Sequence, residues 1–550
     1  MKFKYKTELR NIIILAFLIY LRYKWSTISQ WREDSATNIW LAYTKNLSEI
    51  PVGLLSSKMI PTPNGIILFG KIFTVFKSLL HLTFFLSILQ IILFFFLSKE
   101  ISSNKNLNNF TFFLLSVSTL TSASSVEFWN QWILILVNTV FFIFLLKYLN
   151  TQKTEFIILL ICIATIPPAI YLAGISNALV YFLLICIALF MNKNYKILKH
   201  KFIYLFSGLF YLILNYVFVW NPYFKSIKIN EVFGFSGLTL YDRINIFSDV
   251  FLELPGSFLT IWTNKNAFYI NQIEISGITS VNSDLVHELF KIFVEFHKII
   301  TVLFCIFIFL GIRFLTNNTE YKRDTLLLRK IFLFFVFIIT SILINPILGG
   351  PNFINLERME NMNQYYQFFL LIWLLTPFIF TNIKVFKNKI IPLNYFVFSI
   401  FITINIALSL SVFSNSLNYD GNKLTEADVP LIHKIELVEF IGNDVQQNKG
   451  ESSTSVSYYL GGGRWNWIPS HGQYFSTWYK DHPFTMGRVY DYQLYRQFLI
   501  SNKYEGLNSR EFQDSDFIVT YKFEDHDVLK NIDYEHHYFG RLRLSKLKDK

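Results

Sequence analysis

Two adjacent carboxylates, Glu33 and Asp34, open a long polar segment of the chain, residues 31–65. They follow the first apolar run by about ten residues, which places them at a membrane surface if that run crosses a bilayer. A carboxylate at such a surface can stay ionised, accept a proton from an incoming hydroxyl group and so act as a general base. The structural alternative is helix capping, because acidic side chains are favoured in a first turn and the residues from Ser35 onward favour a helix.

Three more charged side chains are candidates for a functional site. Arg358 is the only Lys or Arg in the short loops assigned below to the outer face, and a guanidinium group can bind a phosphate bidentately. Lys58 is a second candidate cation, and Glu127 is a further acid between the third and fourth apolar runs. The structural alternatives are that Arg358 snorkels or pairs with Glu357 or Glu360, that Lys58 is a solvated loop lysine and that Glu127 caps a helix.

Two further clusters could bear on site chemistry. His536 and His537 lie beside Glu535, but adjacent histidines on a strand point to opposite faces, so one divalent-metal site cannot easily use both. A cluster of glycines and tryptophans at 461–479 could bind sugar faces or form a buried core. The sequence contains no P-loop, no Gly-x-Gly-x-x-Gly after a strand and no nucleophile elbow, so nucleotide-driven transport is unsupported and the cofactor is unknown.

The composition is that of a polytopic membrane protein. Of 550 residues, 53% are hydrophobic, 18% are aromatic and only 16% are charged, with a mean hydropathy of +0.37. Soluble domains carry about 25% charged residues, and disordered chains are polar and poor in aromatic residues. The composition therefore excludes a disordered chain, and the many long apolar runs exclude a single soluble domain.

Eleven apolar runs are long enough to cross a bilayer and predict a polytopic α-helical membrane protein. They lie near 9–24, 79–97, 110–126, 132–149, 155–170, 174–191, 202–220, 299–315, 331–346, 366–381 and 391–413. Pro167 and Pro168 break the fifth run, which a bundle tolerates where neighbouring helices satisfy the freed backbone groups.

The distribution of charge argues against nucleic-acid binding and orients the chain. The net charge is +12, but residues 1–413 carry +15 and residues 414–550 carry −3, so the positive excess belongs to the apolar part. With the N-terminus in the cytoplasm, the six inner segments hold 20 Lys and Arg in 71 residues. The three short outer loops hold one in 39 residues, as the positive-inside rule requires. Eleven spans then put the C-terminus outside.

Two domains are predicted. Residues 1–413 form the transmembrane domain, with outer loops at 25–78 and 221–298, and residues 414–550 form a small extracytoplasmic α/β domain. Leu285–Phe296 is amphipathic, which indicates a helix lying along the membrane surface. In the C-terminal domain the patterns predict helices at 425–447 and 490–503 and strands at 453–460, 516–523 and 538–547.

The first outer loop resembles that of GT-C glycosyltransferases, which are polytopic enzymes that take a sugar from a polyprenyl-phosphate donor. The resemblance rests on an acid near the end of the first span, an amphipathic helix, then Gly53, Ser56-Ser57, Ile60-Pro61 and Pro63-Asn64-Gly65 before the chain returns to the membrane. The C-terminal helix and strands, with the late DFIVTYK strand, resemble the extracytoplasmic domain of many bacterial members. The resemblance covers the whole architecture, but its motif is confined to about 35 residues.

The resemblance implies a transferase of the bacterial cytoplasmic membrane that acts on a lipid-linked sugar donor and a glycan, lipid or protein acceptor. It gives Asp34 the role of the base that deprotonates the acceptor. The commoner family pattern is Asp-Glu followed by a small residue, whereas this chain has Glu33-Asp34-Ser35, so Glu33 remains the second candidate. Arg358 and Lys58 would hold the donor phosphate, and Glu127 matches the second acid that some members carry in their second outer loop.

Three other functions remain as alternatives. An O-antigen polymerase or ligase is also polytopic and lipid-linked, but typically places its important basic residues in a large late periplasmic loop. A transporter or flippase of lipid-linked sugars tends to show inverted repeats and charges at mid-membrane. The sequence shows neither feature, because the apolar runs are almost free of charge. A membrane scaffold that binds through its C-terminal domain would tolerate loss of Asp34.

Overall fold

The computed structural model describes a mostly helical chain with a small C-terminal β-sheet. The described residues are 2–29, 31, 33–50, 52–53, 62–126, 128, 130–171, 174–191, 202–226, 322–349, 366–380, 384–418, 429–448, 456–459, 488–498, 516–522 and 534–548. Within them, three helices are long and apolar enough to cross a membrane, namely Leu79–Ile101, Ile133–Thr151 and Gly174–Met191. These helices, with several further apolar ones, give the chain the character of a membrane protein.

The helices follow the predicted apolar runs closely. They are α1 (Lys2–Thr27), α2 (Glu33–Thr44), α3 (Gly65–Phe73), α4 (Leu79–Ile101), α5 (Lys105–Val117), α6 (Thr119–Ser124), α7 (Asn130–Thr151), α8 (Glu155–Ala164), α9 (Ile166–Ile170), α10 (Gly174–Met191), α11 (Phe202–Asn215), α12 (Asn221–Ser226), α13 (Lys322–Gly349), α14 (Tyr366–Leu375) and α15 (Lys384–Asn418). A π-helical turn, Tyr216–Trp220, joins α11 to α12, and a 3-10 turn, Thr376–Phe380, extends α14. The predicted span at 299–315 and the amphipathic helix Leu285–Phe296 lie outside the described residues.

Two predicted runs are each divided into a pair of helices. The run at 110–126 is interrupted at Ser118, whose backbone leaves the helical region, with φ −55° and ψ 125°. The hydroxyl group of Thr121 donates to the carbonyl oxygens of Leu115 and Ser118, and these hydrogen bonds stabilise the break between α5 and α6. In the run at 155–170 the interruption falls at Thr165, and the two prolines lie in the first turn of α9, where a missing N–H costs nothing.

Aromatic side chains fill the core of the helical bundle. The ring of Phe142 on α7 lies 4.9 Å from that of Phe334 and 4.4 Å from that of Phe368, measured between centroids. The ring of Phe141 stacks on that of Tyr181 at 3.8 Å. Lys330 caps the C-terminal end of α4, because its Nζ donates to the last carbonyl oxygens of that helix. The negative end of the helix dipole makes this position favourable for a cation.

The C-terminal segment forms a four-stranded sheet covered by two helices. The elements are α16 (Leu431–Asn448), β1 (Val456–Tyr459), α17 (Arg488–Phe498), β2 (Phe517–Tyr521), β3 (Tyr534–Phe539) and β4 (Leu542–Leu547). The strand order is β1-β2-β4-β3, with β1 parallel to β2 and the other pairs antiparallel. The core between sheet and helices includes Leu437 and Ile441 of α16, Leu494 of α17 and Leu544 of β4.

One prediction in this segment was wrong. The single strand expected at 538–547 is a hairpin in which β3 turns into β4 at Gly540 and Arg541. Gly540 adopts φ 55°, and a Cβ there would collide with the ring of His433, so the turn needs glycine. The other expected helices and strands are present with boundaries shifted by a few residues.

Candidate functional site

The connection between α1 and α2 sets the position of the acidic pair. Trp31 has φ 44°, a left-handed conformation that side chains other than glycine rarely adopt. Its ring is fully buried, and its Nε1 donates to Oγ1 of Thr83 on α4 at 2.6 Å. Strained residues of this kind persist only where their surroundings hold them. The buried ring therefore fixes the point at which α2 starts, at Glu33.

Glu33 and Asp34 occupy the first turn of α2. This backbone position is the one that the helix-capping explanation requires. It also suits a general base, because the N-terminal end of a helix dipole favours the ionised form of a carboxylate. The fold thus places the acidic pair shortly after the end of α1 and at the start of a helix, as the sequence predicts.

Helix α2 is held on one side by α3, here called the α3 side and marked by Ile39 and Ala42. A Cβ on Gly70 of α3 would lie only 3.1 Å from the Cβ of Ala42, so the two helices approach closely. The ammonium group of Lys71 donates to the carbonyl oxygens of Ala42 and Lys45, which closes the C-terminal end of α2. Burial lowers the pKa of Lys71 below its ordinary value.

The C-terminal segment holds α2 on a second side, here called the α17 side and marked by Trp40 and Tyr43. The guanidinium carbon of Arg496 lies 4.3 Å from the centroid of the Tyr43 ring, within the range of a cation–π contact. Tyr495 makes edge contacts with Trp40 at 5.8 Å and with Tyr43 at 5.9 Å. The acidic helix is therefore clamped between the helical bundle and the C-terminal segment.

A buried arginine holds the helices next to this junction together. Nη1 of Arg22 donates to Oε1 of Gln90 and to Oγ of Ser125, both at 2.9 Å, and to the carbonyl oxygen of Thr121 at 3.2 Å. Nη2 donates to the carbonyl oxygen of Ser116 at 3.0 Å. These bonds join α1, α4, α5 and the end of α6, so Arg22 is a structural cation. Sequence reasoning missed it, although an arginine inside the first apolar run was the available signal.

Two polar residues in the second turn of α2 were also missed. Thr37 and Asn38 are each only 1% exposed. Within the described part of the chain, Oγ1 of Thr37 and both polar atoms of the Asn38 amide have no hydrogen-bond partner. Their spacing of four residues from Glu33 and Asp34 was the signal in the sequence.

The other predicted site residues, Lys58, Glu127 and Arg358, lie outside the described residues. The structure does place the neighbours of position 127. The carbonyl oxygen of Val126 accepts a hydrogen bond from Oγ of Ser29 at 2.6 Å, in the turn between α1 and α2. The ring of Phe128 lies 5.5 Å from that of Phe73 on α3. Val126 and Phe128 therefore lie beside the connection between α1 and α2 and beside α3.

The histidine pair on β3 shows no built metal site. Nδ1 of His536 lies 2.9 Å from Oγ of Ser545, while Nε2 of His537 lies 3.6 Å from Oε1 of Glu535. Burial, followed by the nearby positive charges of Arg543, His537 and Lys548, lowers the pKa of His536. Across the described part of the chain, no group of three His, Cys, Asp or Glu side chains could hold a metal ion.

Comparison of the chain with protein-family models, with curated proteins and with solved structures finds no match.

Proposed function

We propose that the chain is a membrane glycosyltransferase that moves a sugar from a polyprenyl-phosphate donor to an acceptor on the outer face of a bacterial cytoplasmic membrane. The observation that carries the proposal is the start of α2. There the acidic pair Glu33-Asp34 directly follows a buried, left-handed Trp31, and α2 itself is clamped between α3 and α17. A rigid helix start is a suitable mount for a base that must meet a substrate at the membrane surface.

In the proposed reaction, Asp34 accepts the proton of an acceptor hydroxyl group, with Glu33 as the second candidate for this role. The hydroxyl oxygen bonds to the anomeric carbon of the donor sugar while the bond from that carbon to the phosphate oxygen breaks. The polyprenyl phosphate leaves with the bonding electrons. Because this leaving group already activates the donor, a base, cationic support for the phosphate and alignment suffice. Arg358 and Lys58 are proposed to supply the cationic support.

The proposed topology has eleven spans, a cytoplasmic N-terminus and an outer C-terminal segment, on the basis of the positive-inside charge pattern. The packing supports one part of it. The backbone N–H of Leu431 donates to the carbonyl oxygen of Ser29 at 2.8 Å, and the rings of Trp25 and Phe413 lie 5.4 Å apart. The C-terminal ends of α1 and α15 therefore lie on the same side as the C-terminal segment and the acidic pair.

The experiment is mass spectrometry of envelope glycans and lipid-linked sugars from a deletion strain that carries each variant at equal membrane level. Asp34→Asn and Glu33→Gln test the two carboxylates. Glu49→Gln is the matched control, because Glu49 is an exposed acid of the same outer segment that bonds only its own turn at Asn46. We expect Asp34→Asn to lose one sugar from the acceptor and to accumulate the polyprenyl-phosphate donor, while Glu49→Gln behaves as wild type.

If Asp34→Asn and Glu33→Gln each restored the wild-type glycans to the deletion strain, the transferase proposal would be rejected and both carboxylates would be helix caps. Loss of the sugar in Glu33→Gln alone would keep the proposal and move the role of the base to Glu33. Accumulation of a complete, unpolymerised oligosaccharide on its lipid carrier would favour the polymerase or ligase alternative.

A further inference from the structure

Helix α2 has a third face, between the α3 side and the α17 side. Successive residues of an α-helix are rotated by about 100°, which places Thr37, Asn38 and Leu41 together on this face. Asp34 belongs to it as well, because residues four apart lie one above the other. Thr37, Asn38 and Leu41 are all fully buried. We call this surface, made of these four residues, the acidic face of α2.

The acidic face carries three polar atoms that lack a partner. Oδ1 and Nδ2 of Asn38 and Oγ1 of Thr37 are buried and form no hydrogen bond within the described structure. Buried polar atoms in native proteins are nearly always paired, because leaving one unpaired forfeits its interaction with water. Three such atoms on adjacent residues, beside an acidic first turn, indicate that something else hydrogen-bonds there.

We infer that the acidic face of α2 is a carbohydrate subsite in which Asn38 and Thr37 bind hydroxyl groups of the acceptor sugar. The inference rests on the proposed function and names the substrate class of the same site. An amide offers donors and an acceptor, and a threonine hydroxyl group offers both, which matches the hydroxyl groups of a sugar ring. Residues four apart in a helix are separated by about 6 Å along its axis, so positions 34 and 38 are close enough for one sugar ring to span.

The composition of the face favours a neutral ligand over an anionic one. Its side chains are a carboxylic acid, an amide, a hydroxyl group and an aliphatic group, with no lysine or arginine among them. A phosphate group would be repelled by Asp34 and would find no cation on the face. The acidic face is therefore assigned to the acceptor sugar, and the donor phosphate is assigned elsewhere.

The test is the unfolding temperature of the purified full chain, in a detergent without a sugar headgroup, during titration with a panel of methyl glycosides. We expect at least one methyl glycoside to stabilise the wild type, since a ligand that binds only the folded state raises its stability. In Asn38→Leu and Thr37→Val, which keep the side-chain shape, the concentration for the half-maximal shift should rise about tenfold.

The matched control is Gln493→Leu. Gln493 on α17 is also fully buried with both polar amide atoms unpaired, but it lies outside α2. This variant should bind the glycoside as the wild type does. Without glycoside, Asn38→Leu should unfold at no lower temperature than the wild type, because replacing an unpaired amide by an apolar group of similar shape removes a cost.

Three outcomes would overturn the subsite: no glycoside stabilises the wild type, Asn38→Leu binds as well as the wild type, or Asn38→Leu unfolds at a lower temperature and so shows a structural amide. The transferase proposal is tested separately by Asp34→Asn, which should retain glycoside binding while losing transfer. Glycoside binding that depends on Asn38, together with full transfer by Asp34→Asn, would keep the subsite and reject the base.

Discussion

The hydroxyl group of Tyr492 donates a hydrogen bond to the carbonyl oxygen of Phe76, with 2.7 Å between the two oxygens and 416 residues between them in sequence. Nη2 of Arg496, one turn further along α17, donates to the carbonyl oxygen of Thr74 at 2.5 Å. These bonds attach the C-terminal segment to the link between α3 and α4. Because α17 also packs against α2, the same attachment positions the helix that carries Glu33 and Asp34.

Tyr492→Phe should loosen this attachment. Burial raises the pKa of Tyr492, so its hydroxyl group stays protonated and remains a donor. Removing it leaves the carbonyl oxygen of Phe76 unpaired and should lower the free energy of unfolding by about 1 kcal/mol. Limited proteolysis and thermal unfolding of the full chain measure the effect. Tyr495→Phe, at a partly exposed ring on the same helix, is the control, and equal stability of both variants would contradict the prediction.

The C-terminal segment should lose stability in acid through His433. Burial, with a smaller contribution from the charge of Arg541, lowers the pKa of His433 to about 4, compared with 6.5 for an exposed histidine. The unfolded chain therefore binds a proton that the folded chain excludes. The stability is fully present above about pH 6.5 and falls as the pH drops towards 4, by no more than about 3 kcal/mol.

The measurement compares thermal unfolding of the wild type and His433→Phe between pH 7 and pH 4.5. The variant keeps a planar ring beside Gly540 but has no group that titrates, so its unfolding temperature should fall less over this interval. His81→Phe, at an exposed position of α4, serves as the control. An identical pH dependence in His433→Phe and the wild type would show that His433 does not cause the loss.

The sequence predicted the elements that depend on local patterns. Helix α4 begins at Leu79, as predicted, because its apolar run is continuous and ends at charged residues. The interruption at Ser118 was not predictable, since it depends on hydroxyl groups bonding to nearby carbonyl oxygens inside an otherwise apolar run. The β3–β4 hairpin was missed because its turn, at Gly540 and Arg541, lies within a segment that reads as one strand.

The candidate site was predictable only in its first turn. The type and position of Glu33 and Asp34 pointed to α2. The buried contacts that support α2 were not predictable, because Trp31 bonds Thr83 across 52 residues of sequence and Arg22 bonds Gln90 across 68. Composition gives no access to such long-range pairs. The unpaired amide of Asn38 likewise becomes visible only when burial and partners are known together.

Arg22→Lys should destabilise the helical bundle. Lysine cannot reproduce the fork of donors that reaches Gln90, Ser125 and two backbone carbonyl oxygens, so buried acceptors would be left unpaired. We expect the free energy of unfolding to fall by about 3 kcal/mol, because each buried acceptor that loses its donor costs about 1–3 kcal/mol. Thermal unfolding in detergent and membrane yield are the measurements. Lys24→Gln is the control, and wild-type stability of Arg22→Lys would show that the network contributes little.

Trp31→Phe should lower the proposed sugar transfer without lowering the amount of protein in the membrane. The phenyl ring still fills part of the pocket, but the donor to Oγ1 of Thr83 is lost, so the backbone that leads into Glu33 is held less firmly. Thr83→Val removes the other half of the same bond, whereas Thr83→Ser keeps it. If the bond positions α2, the two losses act through one interaction, so the double variant should be no worse than either single variant. Mass spectrometry of the envelope glycans compares the four variant strains with the wild type, which Thr83→Ser is expected to match. Additive losses in the double variant would show that Trp31 and Thr83 act independently and that this bond does not set the start of α2.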